Sequence, residues 1–339
     1  MQGTLREMCL QITNACPLRC LHCSTRGGLP HQNELPLARL MEAIQEFSAL
    51  GGSILELSGG EPLVYPHLPE IVQLAASLGL EVRLYSSGVD GYSAGRARSA
   101  ARETWQSLKE SGLAKVFFNL QGPCAEVHEG ITLIPGSYEA VVQSLKTTKS
   151  LGLYVGIHFV PMRRNFELLD QTVGLATGWG ADEFAVLRFV AQGRGLDNRK
   201  LLMLSPVEFG KFMANAVRVR DVQTGIRFRL GCPFNHRILA GDSVSPAVCN
   251  AGTFVCHVNP SGEVLPCSAF QQGFISFGNL RDQSLAALWE SQRWRLFREL
   301  KERGPAPGSA EFILEAGDPC LAQIANGDVQ PLDVTLVPD

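Results

Sequence analysis

The sequence predicts an α/β protein in which a partial, open (β/α)6 barrel precedes a small, cysteine-rich α+β domain. From residue 8 to about residue 190, short apolar runs alternate with longer amphipathic segments, which is typical of strand and helix units around a parallel sheet. Beyond about residue 231 the chain is instead rich in Gly, Pro and Cys, with short β-like pieces. We therefore expect two domains, residues 1–225 and residues 226–339.

Six apolar runs are the predicted strands, and the segments between them carry apolar residues at the helical positions i, i+3 and i+4. The predicted strands are residues 8–13, 54–58, 81–86, 115–121, 154–161 and 183–190. The predicted helices between them are residues 37–49, 68–78, 101–111, 138–151 and 166–177. A closed TIM barrel needs eight such units, so an open, TIM-like barrel is expected.

Two further helices are expected after the last strand. Ser205 and Pro206, followed by Glu208, form a helix start signal, because serine caps free backbone N–H groups and proline is tolerated in the first turn. This helix is expected to run to about residue 222 and to close the first domain. The second is expected over residues 284–303.

The composition excludes several classes of partner. The chain of 339 residues is 45% hydrophobic and has a net charge of −3, so it can bury a core but has no basic field for nucleic acid. It has no run of eighteen apolar residues, and its N-terminus lacks the apolar core of a signal peptide. We therefore expect a cytoplasmic protein that binds neither nucleic acid nor a membrane.

The ten cysteines are the main chemical feature of the sequence. A chain of this size does not need disulfides, and the cytosol keeps thiols reduced, so most are expected to be metal ligands. They form an N-terminal group, Cys16, Cys20 and Cys23, and a C-terminal group, Cys232, Cys249, Cys256, Cys267 and Cys320. Cys9 and Cys124 are isolated, and we expect them to pack as small core side chains.

The N-terminal group has the spacing C-x3-C-x2-C in one short loop after the first predicted strand. Three thiolates can hold three irons of a four-iron cluster, and the fourth iron is then open to a small molecule. Structural zinc is the alternative, but it usually takes four ligands from paired knuckles, and the fourth is not local here. A reactive iron–sulfur cluster is therefore favoured.

Polar residues and glycines follow the other strands. Ser58-Gly59-Gly60-Glu61-Pro62 ends the second strand, Ser86 the third and Asn119 the fourth, while Arg188 lies in the apolar run of the sixth. The chemistry of β/α barrels lies at the C-terminal ends of the strands, so these residues are expected on one rim with the cysteines. Arg188 needs an anion or a buried partner, and a structural ion pair is the alternative to a functional role.

The two motifs together resemble the signature of the radical SAM superfamily: C-x3-C-x2-C after the first strand, and Gly59-Gly60-Glu61 after the second. The resemblance implies a [4Fe-4S] cluster on Cys16, Cys20 and Cys23, with S-adenosylmethionine (SAM) on its open iron. Reductive cleavage of SAM would give a 5′-deoxyadenosyl radical that abstracts hydrogen from substrate. A flavodoxin or ferredoxin is the electron donor that the resemblance implies.

The resemblance also implies SAM contacts on the rim. Gly59 and Gly60 would let the backbone approach the methionine moiety, and Glu61 or neighbouring carbonyls would accept from its ammonium group. His22 would lie near the adenine, and the ribose and carboxylate would be contacted by residues that end strands, Ser86, Asn119 and Arg188.

The C-terminal cysteines resemble the SPASM and twitch extensions of the same superfamily. Cys256 and Cys267 flank a predicted hairpin whose turn is Pro260-Ser261-Gly262. The resemblance implies one auxiliary [4Fe-4S] cluster on four cysteines, Cys249, Cys256, Cys267 and Cys320. Cys232 could replace one of them, and a zinc ribbon is the alternative because spacing alone does not separate zinc from iron–sulfur sites.

Three functions are compatible with this sequence. The first is a radical SAM enzyme that modifies a peptide by crosslinking, dehydrogenation or epimerisation, as SPASM-type extensions imply. The second is a small-molecule biosynthetic cyclase or dehydrogenase with one auxiliary cluster. The third is an electron-transfer or metal-sensing protein without catalysis, which reductive cleavage of SAM in vitro would exclude.

Overall fold

The fold is built on strands that alternate with helices along most of the chain. The computed structural model describes residues 4–30, 32–231, 250–270 and 277–303. The strands are β1 (Glu7–Gln11), β2 (Ile54–Ser58), β3 (Glu81–Ser86), β4 (Val89–Ser93), β5 (Arg96–Ser99), β6 (Leu113–Asn119), β7 (Tyr154–Phe159), β8 (Glu183–Val186), β9 (Arg227–Leu230), β10 (Val255–Val258) and β11 (Val264–Leu265). The predicted strands are thus all present, and the sixth ends at Val186 rather than at residue 190.

The helices are α1 (Leu37–Ala49), α2 (Leu68–Ser77), α3 (Arg102–Glu110), α4 (Ala125–Thr132), α5 (Ser137–Ser150), α6 (Leu169–Gly178), α7 (Gly193–Asp197), α8 (Arg199–Leu202), α9 (Pro206–Val222), α10 (Leu285–Trp289) and α11 (Gln292–Arg303). The start predicted for α9 is confirmed. The side chain of Ser205 accepts from the N–H of Glu208, whose side chain accepts in return from the N–H of Ser205. The single helix predicted over residues 284–303 is instead two, α10 and α11.

One nine-stranded sheet carries the fold, in the order β11-β10-β1-β2-β3-β6-β7-β8-β9. All neighbours are parallel except β10 and β11, which pair antiparallel. Among the described residues β11 and β9 are the two ends of the sheet. The predicted α/β class and open barrel are therefore confirmed, with β9 and β10 as extra parallel strands.

The two faces of this sheet differ in polarity because successive strand residues point to opposite sides. Met8, Leu55 and Leu84 are fully buried and pack with the apolar residues of the surrounding helices in the main core. The other face carries buried polar side chains, including Glu56 on β2 and His158 on β7. The interior of the barrel is thus polar, while the layer between sheet and helices is apolar.

Cys9 is buried as expected, whereas Cys124 is exposed, so the expectation that it packs in the core is wrong.

The hairpin predicted around the turn Pro260-Ser261-Gly262 is confirmed as β10 and β11, and it extends the barrel sheet. Strand β10 pairs in parallel with β1, so that Cys256 lies opposite Met8. The turn between β10 and β11 contains Gly262 with φ of 93°, a conformation that favours glycine. The described C-terminal segment therefore packs directly against the first strand of the barrel.

No helix in the described part of the chain is long and apolar enough to cross a membrane.

Candidate functional site

The three N-terminal cysteines lie in the loop between β1 and α1, at the C-terminal end of the sheet, and each is partly buried. We call residues 14–28 the cluster loop. Its backbone is tied to the rest of the fold, since the N–H of Arg19 donates to Thr132 O at 3.1 Å and the N–H of Leu21 to Ile131 O at 2.9 Å. The cluster loop closes on itself through Cys16 N and Gly28 O at 2.8 Å.

The surroundings of the sulfur atoms suit thiolates bound to iron. Backbone N–H groups point at two of them, from Leu18 to Cys16 Sγ at 3.4 Å and from Gly27 to Cys23 Sγ at 3.3 Å. Such hydrogen bonds to sulfur are among the features that tune iron–sulfur clusters. Burial raises the pKa of the Cys16 thiol to about 12, so its deprotonation depends on a bound metal.

No three Cys, His, Asp or Glu side chains converge on one metal ion among the residues that the structure describes. In a four-iron cluster each cysteine binds a different iron, so the thiolates do not share a single centre.

The turn after β2 is packed against the cluster loop. The N–H of Gly60 donates to Thr13 O at 2.7 Å, and the N–H of Glu61 donates to Ala15 O at 2.8 Å. A Cβ on Gly60 would lie 2.3 Å from Ala15 O, and a Cβ on Gly59, whose φ is 155°, would lie 2.5 Å from Thr13 O. The two glycines therefore let this turn approach the cysteine-bearing backbone, a reason that the sequence alone did not indicate.

Glu61 is fully buried and its carboxylate is occupied by the protein itself. Oε1 accepts from Ser86 Oγ at 2.7 Å and Leu63 N at 3.1 Å, while Oε2 accepts from the N–H of Ser87 at 2.6 Å and its hydroxyl at 2.5 Å. Burial raises the pKa of Glu61, although the bonds from Ser87 oppose that shift. A carboxylate has about four acceptor positions, so Glu61 is better placed to join β2 to β3 than to bind SAM.

Ser86 is occupied in the same network. Its hydroxyl donates to Glu61 and accepts from Gly88 N at 2.8 Å. The structure thus brings Glu61 and Ser86 together, but they are joined by a hydrogen bond with each other.

Asn119 and Arg188 are two rim residues whose side-chain polar atoms are not occupied by the described protein. Asn119 is the last residue of β6, Arg188 lies two residues beyond β8, and both are partly buried. Neither side chain makes a hydrogen bond to any residue that the structure describes. The alternative reading of Arg188 as a structural ion pair therefore has no partner within that part of the chain.

His22 lies between two of the cysteines, and its Nδ1 is buried without a hydrogen-bond partner in the described part of the chain. Burial, and then the charge of Arg194, lower the pKa of His22 to about 4. The imidazole is therefore neutral at physiological pH, which suits the stacking role predicted for it.

Gln121 is a polar residue of this rim that the sequence reasoning did not select. It is fully buried, and its Oε1 accepts from Val160 N at 3.1 Å. Its Nε2 has no partner among the described residues. The sequence contains a signal that could have identified it, because Gln121 follows Asn119 at the end of a predicted strand.

The predicted auxiliary ligands are only partly described, since Cys249 and Cys320, like Cys232, lie outside the described residues. Cys256 is fully buried in the main core between sheet and helices, and burial raises the pKa of its thiol well above its ordinary value. Cys267 is partly buried and packs with Leu265 and Phe270 in a separate apolar cluster. The structure thus places the two cysteines in different surroundings, and that of Cys256 argues against a ligand role.

The site and fold together define an α/β enzyme whose first loop presents cysteines for an iron–sulfur cluster. The model of the Radical SAM superfamily matches residues 10–175, and that of the SPASM iron–sulfur cluster-binding domain matches residues 249–309. Mycofactocin maturase MftC of Mycobacterium tuberculosis is 30% identical over 310 residues, which cover 89% of this chain and 74% of that protein. The chain belongs to the radical SAM superfamily, as its motifs predict.

Other relatives are named for different activities. AdoMet-dependent heme synthase of Methanosarcina barkeri is 25% identical, covering 97% of this chain and 95% of that protein. PqqA peptide cyclase of Xanthomonas euvesicatoria is 28% identical, covering 83% of this chain and 73% of that protein. The structure of Streptococcus suis SuiB bound to precursor peptide SuiA has a TM-score of 0.69 at 15% identity, covering 95% of this chain and 73% of that one, which confirms the fold.

The cofactors predicted for the chain are confirmed at the level of the family. Radical SAM enzymes use SAM and a [4Fe-4S] cluster, and a SPASM domain binds auxiliary iron–sulfur clusters. The residues present fit the first of these groups, because three cysteines lie in one anchored loop with backbone N–H groups directed at two of their sulfurs.

Proposed function

We propose that this radical SAM enzyme modifies a peptide, by crosslinking, dehydrogenation or epimerisation. The observation that carries the proposal is the similarity to PqqA peptide cyclase, which extends over 83% of this chain and hence beyond the residues matched by the radical SAM model. Similarity that includes the C-terminal segment is relevant because that segment carries the auxiliary cysteines of the SPASM match.

The residues of the chain are assigned roles within this proposal. Cys16, Cys20 and Cys23 hold the first cluster. When bound, the cluster and SAM supply the 5′-deoxyadenosyl radical that abstracts hydrogen. Asn119 and Arg188 orient the polar groups of SAM, because their side chains are free of hydrogen bonds within the described residues.

Further residues of the same site also have roles in this proposal. His22 stacks near the adenine, and the carbonyls beside Gly59 and Gly60 accept from the SAM ammonium group. Cys249, Cys267 and Cys320 contribute to one auxiliary [4Fe-4S] cluster.

Further aspects of the proposal concern the whole chain. We infer that residues 1–225 and 226–339 form the two domains, and that a flavodoxin or ferredoxin supplies the electron. The net charge of −3 supports a protein that does not bind nucleic acid, and we infer a cytoplasmic location from the ten cysteines.

A small-molecule substrate is the second candidate. It is favoured by the similarity to AdoMet-dependent heme synthase, which covers 97% of this chain and 95% of that relative. The two candidates differ in what the barrel must admit, a peptide segment or a whole small molecule.

The proposed function is tested by incubating anaerobically reconstituted protein with SAM, a reductant and a precursor peptide encoded near its gene. A mass change or an epimerised residue in the peptide, with hydrogen transferred from the peptide to 5′-deoxyadenosine, would support the proposal. Turnover of a porphyrin precursor with no change in the peptide would instead favour the second candidate.

The triple variant Cys16→Ala, Cys20→Ala, Cys23→Ala is the control for this assay. It is expected to abolish formation of 5′-deoxyadenosine, because SAM is cleaved only when a cluster supplies the electron. Retained formation of 5′-deoxyadenosine would contradict the assignment of the three cysteines.

A further inference from the structure

A short helix outside the cysteine motif holds the cluster loop. Arg194, in α7, makes three hydrogen bonds to backbone carbonyls of the cluster loop. Its N–H donates to Cys23 O at 2.9 Å, its Nε to Cys20 O at 2.9 Å and its Nη1 to Gly27 O at 2.8 Å. The carbonyls of two of the three proposed iron ligands thus accept from one arginine.

The residues around Arg194 show how closely the two segments approach. A Cβ on Gly193, whose φ is 53°, would lie 2.4 Å from Ser24 O. Asn198, just beyond α7, donates through Nδ2 to Leu21 O at 3.2 Å. The cluster loop has no regular secondary structure, and buried carbonyls require partners, so these bonds determine its shape.

An exposed ion pair joins the same two segments. Arg26 contacts Asp197 at 2.5 Å and 2.8 Å, but its side chain is 49% exposed and that of Asp197 is 50% exposed. Exposed ion pairs contribute little to stability. Two arginines therefore connect the cluster loop to α7: Arg194 binds backbone carbonyls, and Arg26 forms a solvated ion pair with Asp197. Variants of these two connections can be compared directly.

We propose that Arg194 is a positioning residue that sets the geometry of the cluster loop for the SAM-binding cluster. The planar fork of the guanidinium reaches the carbonyls of Cys20 and Gly27 at once, whereas a lysine ammonium is a single point of contact. This role depends on the radical SAM chemistry of the chain and is independent of whether its substrate is a peptide.

The test uses full-length, reconstituted protein and the variants Arg194→Gln, Arg194→Lys and Asp197→Asn. Hydrogen exchange of residues 16–28 is measured together with the EPR spectrum of the reduced cluster, with and without SAM. In both Arg194 variants we expect the backbone amides of the cluster loop to exchange at least about ten-fold faster than in the unaltered protein. We also expect these variants to lose the uniform change in the EPR spectrum that SAM addition causes in the unaltered protein. Asp197→Asn is expected to behave like the unaltered protein in both measurements.

The exchange of β6 and β7 is the control for general unfolding, because these strands lie in the main core away from the cluster loop. Unaltered exchange and EPR spectra in Arg194→Gln would overturn the proposal. It would also be overturned if Arg194→Lys behaved like the unaltered protein, since charge alone would then suffice. Equal acceleration in β6, β7 and the cluster loop of both variants would assign Arg194 a general structural role and likewise overturn it. None of these readouts requires substrate, so they are separate from the test of the proposed function.

Discussion

Glu56 is a buried carboxyl that the site chemistry does not use. It lies on β2 facing the interior of the barrel, is only 8% exposed, and accepts a hydrogen bond from the hydroxyl of Tyr85. Nη1 of Arg83 lies 3.7 Å from Oε1 of Glu56. Burial, and then the charge of Glu7, raise the pKa of Glu56 to about 7, so this carboxyl is protonated in the folded protein at pH values where it is ionised in the unfolded chain.

The raised pKa predicts a specific dependence of stability on pH. The contribution of Glu56 is complete below about pH 4.5 and is lost as the pH rises to about 7, because the folded state then has to release a proton that it holds more tightly. The loss is on the order of 3 kcal/mol. Glu56→Gln is expected to flatten the free energy of unfolding over this pH range, as measured by urea denaturation.

The exposed Glu42→Gln on α1 is the control, since its side chain is 61% exposed. An equal slope in the Glu56 variant and the unaltered protein would contradict the assignment.

The rim residues show what the sequence could and could not establish at this scale. Cys16, Asn119 and Arg188 lie at the C-terminal end of the sheet, as expected: Cys16 in the loop after β1, Asn119 at the end of β6 and Arg188 two residues beyond β8. The hydrogen bond that Ser86 donates to Glu61 could not be predicted, because it depends on how β2 and β3 pair. The contacts of Arg194 could not be predicted either, because about 170 residues separate it from the cluster loop and no local pattern encodes contacts over that distance.

At the scale of elements, the turn after β2 is where a small change should have a large effect. Gly60→Ala would place a methyl group 2.3 Å from Ala15 O and 2.5 Å from Asn14 O. Neither backbone oxygen is at the end of a flexible side chain, so the cluster loop has to move. We expect a loss of about 1–3 kcal/mol in unfolding free energy and a lower iron content, measured by denaturation and by metal analysis after reconstitution.

Gly210→Ala in α9 is the matched control, because a Cβ there has nothing within 4 Å and alanine favours a helix. It is expected to leave iron content unchanged and stability equal or slightly higher. Full iron content in Gly60→Ala would show that the cluster loop adapts, contrary to this prediction.

The elements that the sequence predicted well have strong local signals. Helix α9 begins where Ser205 and Glu208 form a capping box, and α1 matches its predicted range over Leu37–Ala49. The hairpin of β4 and β5 was missed, because its polar and glycine-containing sequence has no apolar alternation. It is held by packing, since Val89 and Ala97 contact the apolar residues of the cluster loop and α5.

At the scale of the molecule, the barrel and the C-terminal segment share one sheet. The sequence predicted the hairpin of β10 and β11, but its pairing with β1 joins residues about 250 positions apart, and no local pattern encodes such a contact. This pairing decides the environment of each cysteine. Residues that alternate along β10 and β11 face either the main core, as Cys256 and Val264 do, or the separate cluster of Leu265.

That difference predicts opposite outcomes for two cysteine variants. Cys267→Ala is expected to remove about four irons per chain, because loss of a ligand prevents assembly of the auxiliary cluster. Cys256→Ala is expected to retain the iron of the unaltered protein, about eight per chain for two four-iron clusters, and to lower the unfolding free energy by about 1 kcal/mol through lost packing. Iron and sulfide analysis with urea denaturation measures both. Equal iron loss in the two variants would return Cys256 to the ligand set, and would require the strand that carries it to leave the core when the cluster binds.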